Sequence, residues 1–89
     1  MALKQFGSWE HFWKWFDYLV QELETSNQQD TAQKLREAKS LVNGLTDGWY
    51  DFLNGFEITL LADADKFNAE QVKLAAALIS FLKGVLNSR

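Results

Sequence analysis

Hydrophobic residues recur at helical spacing in four segments of this chain, and the first segment is the most crowded. Six aromatic rings fall within residues 9–18. At 100° per residue, one stripe of this segment collects Trp9, Phe12, Trp13, Phe16, Leu19, Val20 and Leu23. Trp15 and Tyr18 fall on a second line, beside His11 and Glu22. The pattern predicts a helix over residues 8–25 whose first stripe lies in the core. Its second line is expected to contact a partner, another helix or the N-terminal residues.

A polar connector separates the first helix from a second one. Asp30 stands three residues before Gln33, which is the spacing of a capping box and predicts a helix over residues 31–43. The apolar face of this helix carries Ala32, Leu35, Ala38 and Val42. Asn43-Gly44 is expected to end the helix, because glycine readily adopts the left-handed conformation that closes a helix.

The third segment contains a glycine that leaves two interpretations open. Its apolar residues recur at helical spacing and predict a helix over residues 47–62; they are Trp49, Phe52, Leu53, Phe56 and Leu60. Asn54-Gly55 interrupts the pattern, and the alternative is a short helix that ends there and is followed by a strand over residues 56–61. We favour the continuous helix, because the apolar phase is kept across Gly55 and a single strand has no partner. In that helix Gly55 lets a neighbouring helix approach closely.

The fourth segment has the clearest helical pattern. Asn68 and Gln71 have capping-box spacing, which predicts a helix over residues 69–86. One apolar line carries Val72, Ala75, Ala76, Ile79, Leu82 and Leu86, and a second carries Leu74, Leu78, Phe81 and Val85. Because the two lines cover more than half of the circumference, we expect this helix to be the most buried. Four amphipathic helices with short connectors predict an all-α fold, a compact four-helix bundle.

Composition narrows the possible partners. The 89 residues fit a single helical domain, 1–89, and the formal charge of −3 disfavours nucleic acid and anionic membranes, which attract basic surfaces. The same charge is compatible with a basic protein partner. A chain without cysteine has no disulfide and fits the cytoplasm. Residues 1–6 lack the apolar segment of a signal peptide, and no apolar run approaches the ~20 residues that span a bilayer.

Residues that carry catalytic chemistry are sparse. The chain has one histidine, which excludes a di-iron site and means that a hydrolytic triad could be built only around His11. No cysteine is available as the nucleophile of such a triad, and no serine lies in a nucleophile elbow. His11 and Lys14 have the spacing found in histidine phosphotransfer domains, which are also four-helix bundles. That resemblance implies phosphorylation of His11 as a remote alternative, although Trp15 stands where that family usually has a small residue. The stretch from Asp63 to Asn68 lacks the further ligands of a calcium loop and is interpreted as an acidic turn. We therefore expect no enzymatic activity, no cofactor and no metal site.

Two groups of side chains are candidates for a contact surface. Asp47, Tyr50 and Asp51 stand at the start of the third helix, and Trp15 and Tyr18 stand on the first. Tyrosine and tryptophan are favoured interface anchors, and flanking carboxylates steer a basic partner. The alternative is that Tyr50 packs at the edge of the bundle while Asp47 and Asp51 only help to start the helix.

In general design, an acidic four-helix chain with an aspartate-and-aromatic cluster at its third helix resembles the immunity proteins of nuclease bacteriocins. Trp49-Tyr50 is a loose counterpart here of the paired tyrosines that precede a proline in that family. The resemblance implies a small protein that blocks a basic partner by docking acidic and aromatic side chains on it. The leading hypothesis is a non-enzymatic protein-binding module. The alternative is a homodimer in which the Trp15–Tyr18 surface completes the core.

Overall fold

The computed structural model describes residues 9–42 and 46–87, and these residues form an all-α bundle. Its helices are α1 (Trp9–Thr25), α2 (Gln29–Lys39), α3 (Thr46–Ala62) and α4 (Ala69–Asn87), with a short 3-10 helix at Ala64–Lys66. α1 packs against α2 and α4, and α3 packs against the same two helices. Within the described ranges no residue is in a strand. The predicted four-helix bundle is confirmed.

The start of α2 differs from the sequence prediction. Asn27 has a φ of 66°, a left-handed conformation that closes α1, and Gln28 is already the N-cap of α2. The helix therefore begins at Gln29, two residues earlier than predicted. The expected capping box of Asp30 and Gln33 is wrong, because Asp30 lies inside the first turn. There its carboxylate is favourable, since the positive end of the helix dipole is nearby.

The predicted end of α2 and the predicted start of α4 can both be compared with the structure. α2 ends at Lys39, before the predicted stop at residues 43–44, which lies outside the described residues. At α4, the Gln71 backbone N–H donates to Asn68 Oδ1 at 2.8 Å, and the Asn68 backbone N–H donates to Gln71 Oε1 at 2.9 Å. The predicted capping box at this helix is confirmed, and it fixes both side chains.

Aromatic rings from α1 and α3 meet at the centre of the bundle. The predicted first stripe of α1 is confirmed, because five of its members are buried and its two tryptophans pack against the core; the buried ones are Phe12, Phe16, Leu19, Val20 and Leu23. From α3, Phe52 and Phe56 are also fully buried. Such rings supply a large apolar area per residue, which helps a chain of this length to form a core.

α3 runs through Gly55 without a break. It is helical from Thr46 to Ala62, so the strand alternative for residues 56–61 is wrong. A Cβ placed on Gly55 would lie 3.2 Å from the Cβ of Ala38 on α2. The helices therefore approach closely at this point, as the sequence predicted. Gly84 on α4 differs, because a Cβ there would meet nothing within 4 Å.

These two glycines are expected to respond oppositely to substitution. Gly55→Val should lower the free energy of unfolding by about 1–3 kcal/mol, because the larger side chain overpacks the contact with Ala38. Gly84→Ala should raise it by up to ~1 kcal/mol, because alanine is the better helix former and has room. Urea denaturation of both variants measures these changes. A Gly55→Val variant as stable as the parent chain would contradict the close packing of α2 on α3.

One face of α4 is more exposed than the apolar pattern predicts. Val72 is 38% exposed and Ala76 is exposed, although both were assigned to an apolar line. The reason is that α4 packs mainly against two neighbours, α1 and α3, and its remaining face is open. The polar residue Gln71, near the start of α4, is buried instead of Val72 and Ala76. That α4 is the most buried helix stays a prediction.

A partly buried polar cluster joins α2 to the end of α3. Thr31 Oγ1 donates a 2.7 Å hydrogen bond to Asp63 Oδ2, and Lys34 Nζ donates to both carboxylate oxygens at 3.1 and 3.2 Å. These hydrogen bonds, that from Thr31 first and that from Lys34 next, hold the pKa of Asp63 below its usual value. The acidic turn predicted from the sequence thus connects two helices. We call the contact of Asp63 with Thr31 and Lys34 the clasp.

This clasp makes the stability of the bundle depend on acid. Because the pKa of Asp63 is lower in the folded than in the unfolded chain, its contribution is present above about pH 4 and is lost as the pH falls through the folded pKa. Thr31→Val should lower the free energy of unfolding at pH 7 by about 1–3 kcal/mol and flatten its decline in acid. The control Asp65→Asn changes an exposed carboxylate nearby and should cost under about 0.5 kcal/mol. Equal acid profiles for Thr31→Val and the parent chain would refute the clasp.

Candidate functional site

The side chains proposed from the sequence fall on two separate surfaces. Tyr18 lines a groove that also contains Leu74 of α4, whereas the Tyr50 hydroxyl donates a 3.3 Å hydrogen bond to the carbonyl of Leu86. Leu74 and Leu86 are twelve residues apart on α4, which is about 18 Å along a helix. Trp15 and Tyr18 therefore do not join the third-helix cluster in one site.

The outward side of α3 combines acidic and apolar residues. We call it the α3 outer face and define it by six exposed residues: Asp47, Tyr50, Asp51, Asn54, Ile58 and Leu61. Leu61 is 80% exposed, Ile58 is 56% exposed and Tyr50 is 44% exposed. The helix brings these residues together because positions 47, 51, 54, 58 and 61 follow one another at alternating steps of four and three.

Sequence reasoning missed Ile58 and Leu61. Attention to the core line of α3 left these two apolar residues unassigned, yet their spacing from Asp51 and Asn54 places them on the opposite side of the helix. A second helical line was therefore visible in the sequence itself. Two large aliphatic side chains held this far out in water are typical of a contact surface rather than of a core.

An apolar groove between α3 and α4 borders this face. It has a volume of about 410 Å³, and its lining residues include Leu60, Leu61, Ala76 and Ile79. A 2.6 Å ion pair between Lys83 and Glu57, which also line it, joins the two helices here. The groove gives Leu61 an apolar neighbourhood, so a partner side chain inserted here is removed from water.

The other end of the α3 outer face is acidic. Asp47 and Asp51 are exposed, and neither forms an ion pair with a described residue. Several lysines elsewhere in the bundle are already engaged with carboxylates; for example, Lys39 Nζ lies 3.0 Å from Asp17 Oδ1. Among the described residues the negative charge at the start of α3 has no cationic partner, and such a charge attracts basic groups.

Tyr50 has a structural contact as well as an exposed ring. Its hydroxyl satisfies the carbonyl of Leu86 in the last turn of α4, one of the carbonyls that a helix end leaves unpaired. This contact agrees with the alternative that Tyr50 packs at the edge of the bundle. Because 44% of the residue is exposed, the side chain still presents area to a partner.

The second surface is a groove between α1 and the start of α4, which we call the α1–α4 groove. It has a volume of about 370 Å³ and is lined by Trp15, Tyr18, Leu19, Glu22, Asn68, Glu70, Gln71 and Leu74. The rings of Trp15 and Tyr18 lie edge to face with centroids 5.5 Å apart. Trp15 packs against the core, whereas Tyr18 is 48% exposed. The second aromatic line of α1 thus forms one wall of a groove.

His11 lies on the surface of α1. His11 and Lys14 are both exposed on α1, and Trp15 follows them partly buried. Across the described ranges, no cluster of three or more histidine, cysteine, aspartate or glutamate side chains is suited to hold a metal ion. The two surfaces described above, the α3 outer face and the α1–α4 groove, are therefore the candidate sites.

Comparison with known protein families, curated proteins and solved structures finds no match to this chain. Among the described helices, none has both the length and the apolarity needed to cross a membrane. Exposure, charge and the shapes of the two surfaces are thus the observations from which a function is inferred.

Proposed function

We propose that this protein is a non-enzymatic module that binds a basic protein partner through the α3 outer face. The observation that carries the proposal is the alignment of exposed Ile58 and Leu61 with the carboxylates of Asp47 and Asp51, which form no ion pair with a described residue, on one side of one helix. Aliphatic side chains supply the apolar contact, and the carboxylates supply attraction and orientation.

The arrangement of the face fits an amphipathic basic helix. From Asp47 to Leu61 the face extends fourteen residues, or about 21 Å along α3. A partner helix of about four turns matches this length; its apolar side chains enter the groove beside Leu61, and its lysines or arginines meet Asp47 and Asp51. Inhibition of such a partner in the cytoplasm is the finer form of the proposal, and the resemblance to immunity proteins and the absence of cysteine support it.

A synthetic helical peptide tests the role of charge. The probe is a leucine–lysine amphipathic helix of four turns, and its glutamate counterpart is the control peptide. Changing Asp47 and Asp51 together to asparagine should weaken binding of the lysine peptide about threefold to tenfold, as expected for two exposed charge pairs. The effect should shrink at high salt, because exposed charges are screened. Fluorescence anisotropy of the labelled peptide measures both results.

Asp30→Asn is the matched protein control, because Asp30 is also an exposed aspartate in the first turn of a helix. It should leave the affinity unchanged. Equal weakening by both sets of substitutions would show a general charge effect and would overturn the assignment to α3. Sedimentation of the protein alone, at micromolar concentration, separates the alternative: a dimer there would favour the homodimer over an external partner.

A further inference from the structure

The α1–α4 groove has a buried amide group in which the oxygen has a hydrogen-bond partner and the nitrogen has none among the described residues. Gln71 Oε1 accepts from the Asn68 backbone N–H, and Asn68 Oδ1 accepts from the Gln71 backbone N–H. This reciprocal pair fixes the orientation of the Gln71 amide, because a flipped amide would lose the first bond. Gln71 Nε2 is buried and has no acceptor among the described residues. A buried donor without an acceptor is costly, so this site favours a ligand that supplies one.

The rest of the groove favours a positive charge. Glu22 and Glu70 both line it, and Glu70 Oε2 forms only a long, exposed ion pair of 3.8 Å with Lys73 Nζ. Tyr18 borders the same space with an exposed aromatic ring, and aromatic faces attract organic cations, the planar guanidinium group above all. The groove therefore combines carboxylates, an aromatic face and an unused N–H donor.

We propose that the α1–α4 groove binds an arginine residue of a peptide chain. Its guanidinium group lies between Tyr18 and the carboxylates of Glu22 and Glu70, and a backbone carbonyl of the peptide accepts from Gln71 Nε2. Because Nε2 lies below the accessible surface, the carbonyl reaches it when side chains that line the groove turn aside. Free arginine has the same guanidinium group, but its charged α-ammonium and α-carboxylate cost more to remove from water than the neutral amides of a peptide, and the α-carboxylate is repelled by the two glutamates. This site is independent of the α3 outer face.

The test uses small probes and the side-chain amide signal of Gln71. N-acetyl-arginine N-methylamide, which carries the guanidinium group and two amide carbonyls, should shift the Gln71 NH₂ resonances in ¹⁵N-labelled protein. The corresponding citrulline compound, a neutral isostere, should bind at least about tenfold more weakly, since it lacks the charge. Free arginine should also bind more weakly than the capped residue. Binding of free arginine equal to or tighter than the capped residue would overturn the peptide assignment.

Two variants separate the charge from the donor. Glu22→Gln should weaken the capped arginine about threefold or more, the effect of one partly exposed charge. Gln71→Glu keeps the oxygen that accepts from Asn68 and removes the N–H donors. It should abolish the preference for capped arginine over butylguanidine, which has no carbonyl.

The Asp47 and Asp51 variants should leave this binding unchanged, so failure here and failure of the proposed function are distinguishable. Equal binding of the arginine and citrulline compounds, an unshifted Gln71 amide, or an unchanged preference in Gln71→Glu would each overturn the proposal. Thermal unfolding of both variants confirms that they are folded.

Discussion

Replacing Phe52 by alanine is expected to lower the free energy of unfolding by about 3–5 kcal/mol, a large fraction of the ~5–15 kcal/mol typical of a single domain. Phe52 is fully buried, and its ring has centroid distances of 5.2–6.2 Å to five others, those of Phe12, Trp13, Phe16, Trp49 and Phe56. Removal of the ring leaves a cavity where α1 and α3 meet. Urea denaturation followed by tryptophan fluorescence and by far-ultraviolet circular dichroism measures the change.

Phe52→Leu is the control, because it keeps most of the buried volume and removes only the aromatic contacts. It should cost less than half as much as the alanine variant. A loss below about 1 kcal/mol for Phe52→Ala, the range of surface substitutions, would contradict the account of the core.

Changing Ile58 and Leu61 together to aspartate is expected to weaken binding of the basic helical peptide by about 30-fold or more. The reason is that apolar anchors at the centre of an interface carry most of its binding energy, and loss of two commonly exceeds 2 kcal/mol. Added negative charge attracts the lysine peptide, so weaker binding of this variant isolates the apolar contribution. Fluorescence anisotropy of the labelled peptide measures the affinity.

Stability distinguishes this surface role from a structural one. Because both side chains are mostly in water, the double substitution should change the free energy of unfolding by less than about 1 kcal/mol in total. Leu41→Asp is the matched control, since Leu41 is another exposed leucine and lies outside the α3 outer face. It should leave the affinity unchanged. A destabilised Ile58/Leu61 variant with unchanged affinity would assign these residues to the fold instead.

Features that depend on local sequence were predictable. The core stripe of α1 follows from the 3.6-residue period, and the Asn68–Gln71 capping box needs only three residues of spacing. The continuity of α3 through Gly55 followed from the unbroken apolar phase. In each case the interaction lies within one helix or between its faces and the core, so the pattern alone contains the required information.

Features that depend on contacts between distant segments were not predictable in the same way. The clasp of Thr31 on Asp63 joins residues 32 positions apart, and no local pattern pairs them. The early start of α2 depends on how Asn27 closes α1. The exposure of Val72 depends on how many helices surround α4, which periodicity does not specify.

The α3 outer face, the proposed binding surface, was half predictable. Asp47, Tyr50 and Asp51 were candidates because their residue types are typical of interfaces, and the structure leaves all three exposed on one side of α3. Ile58 and Leu61 follow them at helical spacing, opposite to the core line, but this spacing alone does not show whether another helix of the bundle covers them. Their exposure, 56% and 80%, makes that separation.

Chemical-shift mapping locates the surface of the protein that the peptide contacts. The ¹⁵N-labelled protein is titrated with the leucine–lysine helical peptide, and the backbone amide shifts are followed residue by residue. We expect the largest shifts on the outward positions of α3 between Asp47 and Leu61. We also expect large shifts on α4 near Ala76, which lines the adjoining groove. Shifts centred on Tyr18, shifts spread evenly over the acidic surface, or no shift at saturating peptide would contradict the assignment of binding to the α3 outer face.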